Sequence, residues 1–240
     1  MKSTPSTISL RDRIIVALDV PTKAKALALV SSLSEAVSIY KIGLQLYTAE
    51  GPEIVRAVAA TGAKVFLDLK LHDIPNTVAK AVEAAGELGV QMLTVHLSGG
   101  RQMLSAAVGA KPPNLLLLGV TVLTSANQET LRETGVNSGI EEQVLRLAEL
   151  GQQTAIDGLI TSSQEVQTLR DRLGDEIKLI TPGVRPNWAP ANDQKRFTTP
   201  NEALKNGADY LVIGRPITGH PEPRSAFERL LSEIEDTVAQ

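Results

Sequence analysis

Cysteine is absent from the 240-residue chain. That excludes disulfides, thiolate nucleophiles and cysteine-ligated zinc or iron–sulfur centres, and it fits a reducing compartment. Aromatic side chains are scarce, at 3% of the residues, and no basic block accompanies them. With 24 Lys and Arg against 27 Asp and Glu the formal net charge is −3, so no nucleic-acid partner is expected and a small-molecule ligand is favoured. Long apolar runs are lacking as well. The greasiest, 115–123, is far shorter than the roughly 20 residues that cross a bilayer as a helix, so it reads as a buried strand and no membrane partner is expected. Residues 1–7 hold no apolar stretch that would serve as a signal peptide; residues 1–10 read as a polar arm and the protein as cytoplasmic.

What the chain does have is repetition of short runs rich in Val, Ile and Leu, at 14–20, 38–44, 65–71, 92–97, 115–123, 158–161, 177–184 and 210–214. Near-continuous apolar runs indicate strands covered on both faces, as in parallel sheets. Helical spacing lies between them: Val78, Ala81, Val82, Ala85 and Leu88; Ile140, Val144, Leu147 and Gly151; Phe227, Leu230, Leu231, Ile234 and Val238. Eight strand–helix units in this length predict an α/β fold, a (β/α)8 TIM barrel, as one domain over 1–240. The stretches 125–139 and 185–198 carry no period, and the Pro- and Asn-rich second reads as a binding loop.

In such barrels the active site lies at the carboxyl ends of the strands. Asp19 ends the first run, Lys41 lies in the second, and Asp68-Leu69-Lys70-Leu71-His72-Asp73-Ile74-Pro75-Asn76-Thr77 closes the third. Alternation along a strand sends Asp68 and Lys70 to one side and Leu67, Leu69 and Leu71 to the other. Singly, each charge reads as a solvated loop residue or a structural ion pair. Together they crowd one rim, where a barrel core gains little from buried ion pairs. Asp73 also fits a cap for the helix that Pro75 begins. His72 and His220 read as surface or loop residues, and His96 as a hydrogen-bonded core residue. The last two strand ends, Pro182-Gly183 and Gly214-Arg215, fit a phosphate site, with glycine amides for close approach and a guanidinium fork.

These residues resemble the orotidine 5′-phosphate decarboxylases over nearly the whole chain. The likeness rests on the 68–77 motif, supported by Ala17-Leu18-Asp19, Tyr40-Lys41-Ile42-Gly43, Thr121-Val122-Leu123-Thr124-Ser125, Thr181-Pro182-Gly183-Val184-Arg185-Pro186 and Val212-Ile213-Gly214-Arg215-Pro216. The resemblance implies a (β/α)8 homodimer that converts orotidine 5′-monophosphate to UMP and carbon dioxide, the last step of UMP synthesis, without metal or organic cofactor. It implies that Lys70 gives the proton to C6 and that Asp68 lies beside the departing carboxylate. Lys41 and Asp19 would contact the ribose and hold the charge network, and Asp73 and Thr77 would reach the neighbouring subunit's site. Thr124 and Ser125 would lie near the pyrimidine, and Arg185, Gln194, Gly214 and Arg215 on the phosphate side with Pro182. Three alternatives stay open: a magnesium-dependent sugar-phosphate decarboxylase or aldolase sharing the Asp-x-Lys-x-x-Asp spacing, a Schiff-base aldolase using Lys70, and a phosphosugar-binding barrel without catalysis.

Overall fold

Every strand of the protein is a Val-, Ile- or Leu-rich run with a helix behind it, and the strands close on themselves. The computed structural model describes residues 9–189 and 198–238. In chain order the elements are β1 (Ile14–Ala17), α1 (Lys23–Ser32), β2 (Ile39–Gly43), α2 (Leu44–Glu50), α3 (Pro52–Ala59), β3 (Lys64–Leu71), α4 (Pro75–Glu87), β4 (Met92–His96), α5 (Gly100–Ala110), β5 (Leu116–Val120), α6 (Gln128–Glu133), α7 (Ile140–Gln153), β6 (Gly158–Ile160), α8 (Val166–Leu173), β7 (Lys178–Pro182), α9 (Pro200–Lys205), β8 (Tyr210–Ile213), α10 (Arg215–Thr218) and α11 (Pro223–Val238). All neighbouring strands pair in parallel and β1 pairs with β8, which gives a closed eight-stranded barrel in sequential order. This is the (β/α)8 barrel that the spacing of apolar runs predicts.

The period-two alternation of a strand separates two cores. Ile15, Ala17, Phe66, Leu118, Ile180 and Val212 belong to a cluster of strand residues alone, which fills the barrel interior. Their neighbours, such as Ile14, Val16, Leu67, Leu117 and Leu211, join the larger cluster with the helices outside. Local chemistry sets several helix starts. The Thr22 and Asn127 side chains cap α1 and α6, a Thr199–Glu202 capping box opens α9, and proline is in the first turn of α3, α4 and α9.

Three sequence expectations shift. The 115–123 run is strand only over Leu116–Val120, and Leu123 is exposed; the apolar run outlasts its partners. The patternless 125–139 stretch contains α6, which buries Leu131 alone and so leaves no period to read. Of the arm expected over 1–10, residues 1–8 lie outside the described residues, whereas Leu10 packs on the core and the Ser9 hydroxyl donates to Asp12.

The amino end of the barrel is stitched by charge. Arg170 Nη2 donates to Asp209 Oδ2 at 2.7 Å and Lys178 Nζ to Asp209 Oδ1 at 3.2 Å. Arg13 donates to the carbonyls of Ala208 and Asp209 across the β1–β8 seam.

Candidate active site at the barrel mouth

At the carboxyl end, Asp19, two residues beyond β1, joins Lys41 of β2 and Asp68 and Lys70 of β3 in a group of four charges. The Lys41 ammonium lies 2.9 Å from Asp19 Oδ1 and 3.8 Å from Asp68 Oδ2. Lys70 Nζ donates to both oxygens of Asp68 at 2.8 Å. The order Asp19–Lys41–Asp68–Lys70 therefore alternates in sign along the rim. Lys41 is buried and Asp68 nearly so, whereas the Lys70 side chain is 27% exposed, so its ammonium is the array's cation that faces the mouth. Gly43 makes room for this arrangement. A Cβ there would stand 2.9 Å from Lys41 Nζ and 3.4 Å from Asp19 Oδ1.

Simple alternation brings Asp68 and Lys70 together, but β3 reaches that outcome irregularly. Its register with β4 runs Phe66↔Met92 and Leu67↔Leu93, then jumps to Leu71↔Val95. Three residues of β3 thus face one of β4, Thr94. Lys70 has φ +52, a left-handed conformation that is uncommon and costly for a residue with a side chain. Two extra residues preserve parity. Leu69 and Leu71 still turn outward against the larger core, where they line a cavity of about 530 Å³ between α3 and α4.

Thr94 is the residue that the sequence reading missed. It is fully buried, accepts the Lys70 backbone N–H at 2.8 Å and donates to Asp68 Oδ1 at 3.0 Å. Its signal was a hydroxyl at an inward position of an apolar run, two residues before His96. His96 itself is half-buried at the mouth, with its ring 5.6 Å from that of exposed His72. It is not the hydrogen-bonded core residue expected: no hydrogen bond to it is found among the described residues. Burial pushes its imidazole below the ordinary value, and the charges of His72 and Lys70 act in the same direction against the opposing pull of Asp68.

The remaining candidates spread around the same rim. Asp73 and Thr77 are exposed, and Asp73 Oδ1 accepts the N–H of Ile74 at 2.6 Å. Ile74, not Asp73, is the N-cap of α4, and it makes no side-chain cap bond, so the capping role considered for Asp73 is not what the backbone uses. Thr124 and Ser125 are exposed after β5. Pro182 closes β7, Gly183 follows with φ +77, and Arg185 is buried just beyond. Gly214 precedes Arg215, the first residue of α10, and a Cβ on Gly214 would stand 3.7 Å from Asp19 Oδ2; the β8 end thus borders the charged array. Gln194 lies outside the described residues. Among the described residues, three large apolar side chains are exposed at this same end, Ile74 (67%) before α4, Leu44 (55%) at the start of α2 and Leu123 (44%) after β5.

Among the described residues, no three His, Asp or Glu side chains group as metal ligands, and each carboxylate of the array faces an ammonium. Such an array can hold a proton-bearing cation against a site where negative charge develops.

Comparison with known proteins bears on what that charge is. The family model described as "Orotidine 5'-phosphate decarboxylase / HUMPS family" matches residues 12–230. The orotidine 5′-phosphate decarboxylase of Moorella thermoacetica is 47% identical, over 94% of this chain and 93% of its own. That of Opitutus terrae is 50% identical, over 92% and 97%. The crystal structure of orotidine 5′-phosphate decarboxylase from Lactobacillus acidophilus superposes with a TM-score of 0.82 at 36% identity, covering 93% of this chain and 99% of that one.

Proposed function

The chain belongs to the orotidine 5′-phosphate decarboxylase family, and from that premise we propose that it converts orotidine 5′-monophosphate to UMP and carbon dioxide, with Lys70 as the proton donor. The observation that carries the reading is the Lys70 ammonium, held at 2.8 Å by both oxygens of Asp68 at the barrel mouth. Heterolysis of the bond between C6 and the carboxyl carbon releases carbon dioxide and leaves the electron pair on C6, in an orbital the ring delocalises poorly. A fixed cation where that charge develops lowers the barrier, and its proton then closes the step: Nζ–H breaks, C6–H forms, and the neutral amine regains a proton from solvent.

Asp68 orients that lysine. Placed against the substrate carboxylate at about 4 Å and an effective dielectric near 20, it would also raise the ground state by roughly 4 kcal/mol, or about a thousandfold in rate at most. The rest must come from binding energy spent away from the reacting carbon. Arg215 and the Gly214 backbone on the phosphate side, with Pro182, Arg185 and Gln194, supply it in this reading. Lys41 and Asp19 hold the ribose, and Thr124 and Ser125 the pyrimidine.

The active unit in this reading is a cytoplasmic homodimer that works without metal or organic cofactor. Ile74, Leu44 and Leu123 offer apolar surface at the site end, and this reading assigns exposed Asp73 and Thr77 to the partner subunit's site. Lys70→Ala is expected to lose on the order of 10⁴-fold or more in kcat while still binding UMP, read from the ultraviolet change on turnover in excess chelator. A chelator-treated parent protein that leaves orotidine 5′-monophosphate unchanged refutes the assignment. Equal kcat/KM on the nucleoside without phosphate would remove the phosphate part of the account. Mixing inactive Lys70→Ala and Asp73→Ala subunits should restore activity, because each mixed dimer then holds one complete site; no recovery would argue against a shared site.

A further inference from the structure

We propose that Thr94 is a positioning residue: its hydroxyl sets the backbone of Lys70 and the carboxylate of Asp68 in the arrangement that aims the Lys70 ammonium into the mouth. The proposal rests on the decarboxylase reading above and adds to it a fully buried residue of β4.

The geometry is a closed ring of hydrogen bonds. The Lys70 backbone N–H donates to Thr94 Oγ1 at 2.8 Å, Thr94 Oγ1 donates to Asp68 Oδ1 at 3.0 Å, and the same Oδ1 accepts from Lys70 Nζ at 2.8 Å. A backbone N–H only donates, so the hydroxyl's own proton is left for the carboxylate, and the direction of each bond follows without ambiguity. One side chain therefore fixes both ends of the lysine, the main chain directly and the ammonium through Asp68.

The position of this ring in the sheet gives it its purpose. Thr94 is the single β4 residue opposite the three β3 residues 68–70, where the ladder slips. Lys70 sits there at φ +52, a conformation that must be held by its neighbours. Thr94 is fully buried, so water has no access to replace the hydroxyl, and its removal strands a polar N–H at the bulge. The backbone would turn to find another acceptor and carry the ammonium with it. Displacements of about 1 Å in a reacting group cost on the order of a hundredfold in rate.

The test compares Thr94→Val, which exchanges the hydroxyl for a methyl group, with Thr94→Ser, which keeps it. Expected is a fall in kcat of roughly ten- to a hundredfold for valine, with KM for orotidine 5′-monophosphate and the dissociation constant of UMP changed less than about threefold, and recovery of kcat in serine to within about threefold of the parent. That split separates positioning from packing, because a packing defect would weaken UMP binding too and would affect serine as much as valine. A folded Thr94→Val with parental kcat overturns the proposal, as does parallel loss of kcat and UMP affinity in both variants. Should valine not fold, Thr94→Ala against Thr94→Ser differ by the hydroxyl alone, and equal kcat overturns it. So does failure of both hydroxyl-free variants to fold beside a folded serine variant, which would assign the hydroxyl to stability. A parent protein inactive on the substrate overturns the decarboxylase reading and this proposal with it; an active parent with an unaffected Thr94→Val overturns this proposal alone.

Discussion

Gly43 shows how little tolerance the charged array has. A methyl group at that position would meet the Lys41 ammonium at 2.9 Å, and the ammonium would give way because the surrounding backbone cannot. Gly43→Ala is therefore expected to retain its melting temperature within a few degrees and to lose roughly ten- to a hundredfold in kcat/KM. A variant with parental kinetics would show that Lys41 has a second satisfactory pose. His96 gives a pH signature of another kind. Its folded value lies below its ordinary 6.5, so the unfolded chain takes up this proton first as pH falls. The stability tied to the neutral imidazole is present above about pH 6.5 and is lost as pH drops through the folded value. His72, Lys70 and Asp68 are the charged groups acting on that ring. Urea midpoints at pH 7.5 and pH 5.5 should converge in His96→Gln relative to the parent; an unchanged gap would place the acid sensitivity elsewhere.

At the scale of elements, much was legible and the reasons differ from one element to the next. The strands were readable because burial on both faces removes polar residues from whole runs, and α4, α7 and α11 because one face of each is buried. The pairing of Asp68 with Lys70 was readable through alternation even though β3 is irregular, because the slip inserts two residues opposite Thr94 and two preserves the faces. Thr94 escaped notice for a physical reason: threonine is a good strand former, so a hydroxyl in Met92-Leu93-Thr94-Val95-His96 looks like propensity. α6 escaped because a helix of six residues that buries one side chain has no stripe. The even slip also has a consequence that is open to experiment. Deleting Leu69 alone should turn Lys70 toward α3 and α4 and abolish turnover in a chain that still folds; retained activity would show that the bulge can reform.

At the scale of the molecule, a single chain displays the four-charge array and leaves Asp73 and Thr77 exposed, so the role proposed for them is tested on the assembly and not on one chain. Ile74→Glu, which sets a charge in the exposed apolar rim, is expected to shift the mass toward the monomer and to lower specific activity in a way that high protein concentration partly restores. Concentration-independent activity of a monomeric Ile74→Glu would show that one chain suffices. The seam of the barrel bears on how the protein is made. Arg13 meets the carbonyl of Ala208 across 195 residues of chain, and β1 has no second partner until β8 exists. At about 5–20 residues per second on the ribosome, the edge of Ile14–Ala17 stays unpaired for roughly 10–40 s. Every nascent copy passes through that interval with the apolar edge of its first strand unsealed, so the length of chain between the first strand and the last sets how long that border stays open.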